Sequence, residues 1–359
     1  MRRALTPLWL AMPSRVAGLS QGAARIGLAV IALILLLATL SALSQTPSQA
    51  DTGFYAGIVD SLRHGGNYYA ITAETLRGAD YPLRPMLAFA MPTLAVVEGA
   101  LPPILVRILL YALILAVAAA WHARVKAALT TQAARWVASA LLVLALLPMA
   151  RSSLIAVPET WAGLFVALSL AVRRPGAWLD AVAFGLAAAL IRETAILYLV
   201  LMALFALGEG ARREALGWGM AILLFLIAVG AHAHAIAEVV RPLDTAADPI
   251  TGAGIGLAVE TAAGATMLTL VPLWLAAPLV GLALFGWAMW RDASGLRVVA
   301  LLLLMAVVIS VFGREDTPHW ALLIAPLMLP GLVFAIDGLR DLLGAALDGR
   351  RITVTRIVR

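Results

Sequence analysis

Long runs of residues with almost no charge recur along this chain, and they decide what it can fold into. The first extends from about Ile26 to Leu43, and later ones centre on 104–121, 136–150, 159–172, 178–191, 195–207, 216–235, 267–290, 298–312 and 320–336. A helix of about 20 apolar residues crosses the ~30 Å hydrocarbon core of a bilayer. Backbone in lipid must satisfy its own hydrogen bonds, so only helices and closed barrels span it. No strand-like alternation marks a barrel. Charged residues make up 13% of the chain, against roughly 25% in soluble domains. The expected fold is all-α and polytopic, with about ten transmembrane helices in one transmembrane domain over residues 1–359 and no soluble domain. A cleaved leader at the N-terminus is disfavoured, because the first apolar run is too long and the rest of the chain is as hydrophobic.

The basic residues set the expected topology. They cluster at Arg124, Lys126 and Arg135, at Arg173 and Arg174, at Arg212 and Arg213, at Arg291 and Arg297, and in the tail from Arg340 to Arg359. If each cluster is cytoplasmic, an even number of spans separates neighbouring clusters. Ten spans with both termini inside satisfy this, putting 18 of the 26 basic and 7 of the 20 acidic residues on the cytoplasmic face. Parity then makes 86–98 an interfacial or re-entrant segment, and it requires a hairpin at Arg192–Glu193 although that turn has neither Gly nor Pro. The net charge of +6 is thus a membrane-topology signal, and no nucleic-acid partner is expected. Lys126 is the only lysine, and Ala, Leu and Gly abound. That composition suggests a GC-rich bacterium, hence a multi-pass protein of the inner (cytoplasmic) membrane. Without cysteines there is neither a disulfide framework nor a thiolate metal site.

Charged groups within or beside spans are costly and mark function by default. On this topology they gather on the outer face: Asp51, Asp60, His64, Glu74, Asp80 and Arg84 in the first outer loop, then Glu159, Arg192, Glu193, His232, His234, Glu238, Arg241, Arg314, Glu315, Asp316 and His319. No comparable set of acids and bases is expected at the cytoplasmic side. Within the first periplasmic loop, 44–103, Phe54, Ile58 and Leu62 recur every four residues opposite Asp60, Arg63 and His64. This is the pattern of a helix lying in the interface with one face in lipid.

The order Asp51, then Tyr68-Tyr69, then Tyr81-Pro82-Leu83-Arg84-Pro85, with Arg107 near the outer start of the second span, resembles the GT-C superfamily of membrane glycosyltransferases. That superfamily includes protein O-mannosyltransferases and aminoarabinose transferases. The resemblance covers roughly the first 125 residues; the chain lacks the soluble C-terminal domain and the long later outer loop of larger members. It implies juxtamembrane helices in the first outer loop and an active site facing the periplasm. It also implies inverting transfer of a sugar from a polyprenyl-phosphate donor to a glycan, lipid or protein acceptor. Asp51 would be the general base, with Glu193 and Glu159 as fallback acids. Some relatives use a divalent metal and others do not; the absence of a compact carboxylate cluster argues against a metal or any other cofactor here.

Each candidate also has a structural reading. Asp51 precedes the interfacial helix and suits an N-cap. Arg192, Arg84, Arg314 and Arg107 match phosphate geometry, but Arg192 also suits pairing with Glu159 or Glu193, and Arg84 and Arg107 suit snorkelling. Tyr68 and Tyr69 can stack on a sugar or simply sit at the interface. His319 is a donor to phosphate or acceptor, or a cap. His232 and His234, two apart, fall on different helix faces and are a poor metal pair. Asp244 and Asp248 read as solvated. Two other classes stay open: a transporter or flippase of a lipid-linked glycan, and a non-catalytic scaffold of a glycan-assembly complex. A transporter places its polar groups at mid-membrane in paired repeats, which are not visible here.

Overall fold

The computed structural model describes residues 7–45, 53–246, 250–314 and 318–347. Among these the secondary structure is helical, with three isolated bridges and no strand. The helices are α1 (Gln21–Leu43), α2 (Gly53–Arg63), α3 (Tyr68–Gly78), α4 (Pro92–Ala100), α5 (Pro103–Ala128), α6 (Gln132–Leu146), α7 (Pro158–Val172), α8 (Leu179–Ile191), α9 (Ile196–Gly208), α10 (Arg212–Val239), α11 (Gly254–Gly264), α12 (Leu273–Met289), α13 (Ala293–Phe312), α14 (Ala325–Met328) and α15 (Leu332–Leu347).

Their starts are legible in local chemistry. Ser20, Asn67, Thr131 and Asp292 accept bonds from free N–H groups at the heads of α1, α3, α6 and α13, which have no partner inside the helix. Pro92, Pro103 and Pro158 begin α4, α5 and α7, where a missing N–H costs nothing. Among the described residues, five helical segments are long and apolar enough to cross a membrane: Gln21–Leu43, Pro103–Ala128, Gln132–Ala150, Arg212–Val239 and Ala293–Phe312. Shorter apolar segments include Pro158–Val172, Leu179–Ile191, Glu193–Gly208 and Leu273–Met289. α1 has a largely apolar exposed surface, with Ile26, Leu33, Leu36 and Leu40 outward, as a bilayer would demand.

Two families of contacts define the two ends of the bundle. At one, Arg15 donates to the Trp290 carbonyl, Thr130 N to the Trp9 carbonyl, and Arg173 pairs with Glu214. The loops that carry the basic groups expected on the cytoplasmic side meet there, through Arg124 on the Arg173 carbonyl and Glu209 between Arg173 and Arg297. At the other end Leu83 N donates to the Thr245 carbonyl and Thr251 N to the Val311 carbonyl. The break at Arg192 is real: Arg192 is extended, and a 3-10 turn over Glu193–Ala195 starts the return into α9.

Close backbone approach joins the helices. A Cβ at Gly163 on α7 would collide with the Leu322 carbonyl, and one at Gly286 on α12 with that of Gly331. Such small residues are how helices approach when lipid offers no hydrophobic drive to associate.

Several expectations need correcting. The apolar stripe of α2 packs on protein: Ile58 is 3% exposed, and Leu62 lies against Gly99 of α4. The stretch 254–264, within the loop expected between the seventh and eighth spans, is α11, and Gly256 on it abuts the Ser41 carbonyl at the end of α1. The last apolar stretch is a broken rod, with 3-10 turns at Pro318–Leu323 and Leu329–Gly331 before α15.

Candidate functional site

The polar cluster around Glu159, Arg192 and Glu193 is built by three chain reversals. Pro158 sets the head of α7 and leaves Glu159 in its first turn, fully buried. The extended residue Arg192 and the turn that follows present Arg192 and Glu193 at the junction of α8 and α9. The 3-10 turn before α14 supplies His319, and Gly163 lets that turn lie directly on α7.

Arg192 is the hub. Its Nε stands 2.7 Å from Glu159 Oε1 and its Nη1 2.9 Å from Glu193 Oε1, with all three side chains buried. These are ion-pair contacts without aligned hydrogen bonds: both oxygens of Glu159 and of Glu193, and Arg192 Nε, lack a bond of good geometry. His319 Nε2 approaches the same Glu159 oxygen at 3.5 Å. One guanidinium thus faces two carboxylates. With both carboxylates ionised the triad carries a net negative charge, which a protonated His319 would offset.

The first-loop helices roof this cluster. Tyr55 on α2 meets the His319 ring edge-on at 5.9 Å between centroids. Burial, and after it the Glu159 carboxylate, pushes the Tyr55 phenol well above its ordinary pKa, so it stays a neutral hydroxyl. Tyr68 donates to the Ala90 carbonyl at 2.6 Å. Tyr69 lies 3.1 Å from His232 Nδ1, while His232 Nε2 lies 3.2 Å from the Phe89 carbonyl. A carbonyl only accepts, so Nε2 carries the proton and Tyr69 donates to Nδ1. Tyr69 therefore pins the loop to α10, Tyr68 ties α3 to the segment before α4 within the loop, and neither ring is simply displayed at an interface.

The other sequence candidates lie elsewhere. Arg84 donates to the Arg241 carbonyl at 2.8 Å, and Arg314 stands over the Tyr81 ring at 5.9 Å. These two arginines share the Tyr81–Arg84 stretch, one within it and one over its first ring. Arg107 is exposed on α5. His234 is exposed and faces Glu238 on its own helix at 3.6 Å. Asp51, Asp248, Glu315 and Asp316 lie outside the described residues. Among the described residues no group of three or more His, Asp or Glu is arranged to hold a metal ion.

Asp244 is a correction. It forms a fork with Arg77, both contacts at 2.8 Å, and its side chain is 8% exposed. Arg77, across 167 residues, carries no local signal of this. Glu98 was also missed: it is buried on α4, and its Oε1 has no partner. A carboxylate at the edge of a short apolar segment was the available clue. Burial pushes its pKa up to about 7, against the pull of Arg63.

No protein-family model, curated protein or solved structure matches the chain.

Proposed function

We propose that this chain is a polytopic glycosyltransferase of GT-C type. It moves a sugar from a polyprenyl phosphate to a glycan, lipid or protein acceptor at the periplasmic face of a bacterial inner membrane. The observation that carries this reading is the convergence of Glu159, Arg192, Glu193 and His319 under α2, the helix whose first residue follows Asp51 by two positions. Ten crossings belong to the same reading: the five long helices, the four shorter ones α7, α8, α9 and α12, and the broken rod 318–347. The basic loops meeting at one end support this topology.

In this reaction a carboxylate takes the proton from an acceptor hydroxyl as its oxygen attacks the sugar's anomeric carbon. The bond from that carbon to the phosphate oxygen breaks on the opposite face, giving inversion, and polyprenyl phosphate leaves with the electron pair. Asp51 is the base in this scheme, since Glu159 and Glu193 are already engaged by Arg192. Arg84 and Arg314 are the guanidinium groups proposed to receive the phosphate, whose oxygens a guanidinium matches bidentately.

The test is turnover of a panel of polyprenyl-phosphate sugars by the purified protein, with envelope lipid as acceptor and release of polyprenyl phosphate followed by mass spectrometry. Asparagine caps a helix about as well as aspartate but cannot act as a base. Turnover that vanishes in a folded Asp51→Asn variant supports the scheme. Turnover that survives in Asp51→Asn but not in Glu193→Gln moves the base to Glu193. Absence of turnover with every donor favours the scaffold or the transporter.

A further inference from the structure

The opposite end of the bundle holds a second buried polar cluster, where the sequence suggested only scattered basic loops. Arg173, the C-cap of α7, is gripped by Glu214 through contacts of 2.9 and 2.8 Å. Glu209, the C-cap of α9, places one oxygen between two guanidinium groups, 3.1 Å from Arg173 Nη2 and 2.6 Å from Arg297 Nη2. Arg297 is 1% exposed and lies over the Phe205 ring at 5.1 Å. Its Nε and Nη1 have no hydrogen-bond partner. Arg124 is spent on the Ala171 and Arg173 carbonyls and Ser294 Oγ, and lies within electrostatic reach of Arg174 and Asp292. Asp292 in turn caps α13.

Three guanidinium groups, those of Arg124, Arg173 and Arg297, thus face three carboxylates, and the carboxylates are not equally committed. Glu214 is buried, and Asp292 is held by its cap. Glu209 is 40% exposed, on a turn where Gly210 takes a φ of +73°. If Glu209 swings out, Arg173 keeps its fork with Glu214, whereas Arg297 loses its carboxylate and keeps two unmet donors. Buried donors without acceptors are costly, so this pair of arginines is a place for an anion that the chain fills with its own side chain.

We propose that Arg173 and Arg297 form a phosphate-binding site at this end of the bundle, with Glu209 as its displaceable occupant. A phosphate group offers more oxygens than a carboxylate, enough to meet both Nη2 groups and a further donor of Arg297. The phosphate comes from an anionic phospholipid headgroup in the adjoining leaflet or from a soluble phosphate; the chemistry of recognition is shared.

The experiment is thermal unfolding of the full chain in neutral detergent, at constant ionic strength. Inorganic phosphate is titrated in one arm and phosphatidic acid in the other, with chloride and phosphatidylcholine as controls. A ligand of the folded state raises the midpoint saturably. Glu209→Ala, at a partly exposed position, should saturate at about fivefold lower concentration, because the competitor it removes is a partly exposed ion pair. Arg297→Gln should abolish the response. Saturation by phosphatidic acid alone assigns the site to a headgroup, and saturation by both assigns it to the phosphate group itself. A Glu209→Ala protein that neither ligand stabilises overturns the proposal, as does a response unchanged in concentration between wild type and Glu209→Ala.

Discussion

Arg192 Nε lies 2.7 Å from Glu159 Oε1 and binds the head of α7 to the break between α8 and α9. The same guanidinium reaches Glu193 at 2.9 Å. Desolvating three charges is expensive, and the cluster persists because each partner would be worse alone. Arg192→Leu should therefore cost about 3–5 kcal/mol of stability, measured by unfolding in detergent. Adding Glu159→Gln should recover part of it, since one stranded carboxylate is then removed. A variant as stable as wild type would mean that water reaches these carboxylates.

Gly163 controls where His319 sits. A Cβ there would collide with the Leu322 carbonyl and come within 3.0 Å of Leu323 Cα, both backbone atoms that cannot rotate away. Gly163→Ala should cost about 1–3 kcal/mol and widen the 3.5 Å approach of His319 to Glu159. If the proposed activity is right, donor turnover should fall more than stability accounts for at the assay temperature. Unfolding and turnover, measured together, separate the two effects.

How far the sequence discloses this arrangement depends on the range of the physics. Apolar length reveals the long spans, because lipid imposes that length on each helix independently. The Arg192 hairpin follows from charge parity, a rule about loops. Whether Ile58 faces lipid or α4 does not follow, because both surroundings are apolar and select the same residues. Arg77 with Asp244, and Arg297 with Glu209, are paired across distant helices, so neither spacing nor composition announces them. The small residues of α11 read as loop until Ser41 is known to be their neighbour. Within the candidate site, Glu159, Arg192, Glu193 and His319 could be picked singly as costly polar groups, but their convergence is a tertiary fact.

The Arg77–Asp244 fork ties α3 to the loop after α10. The Arg77 hydrogen bonds, with the Arg241 N–H, hold Asp244 below the ordinary carboxylate range. A depressed carboxylate contributes stability that is present above its unfolded value, about 4, and lost as pH falls toward the folded one. Asp244→Asn should lower stability at pH 7 and flatten the decline below about pH 4. Unfolding midpoints measured from pH 7 to pH 3 check this. An unchanged acid limb would show that the fork contributes nothing to folding.

Glu98 should produce the opposite slope. It is 2% exposed on α4, and Arg63 donates to its backbone carbonyl at 2.9 Å, leaving Oε1 unpartnered. Burial raises its pKa to about 7, above the unfolded value of about 4.3. The folded state then binds a proton that the unfolded chain has released, so stability is full below pH 4 and declines as pH rises toward 7. The loss is on the order of 3–4 kcal/mol for a shift of this size. Glutamine mimics the protonated side chain, so Glu98→Gln should match wild type near pH 4 and exceed it at pH 8. Because α4 packs against α2 through Leu62 and Gly99, the added stability should also protect the amides of α2 from hydrogen exchange at pH 8. A Glu98→Gln protein with the wild-type pH profile would place the carboxylate in contact with water, and the α2–α4 contact would then be independent of its charge.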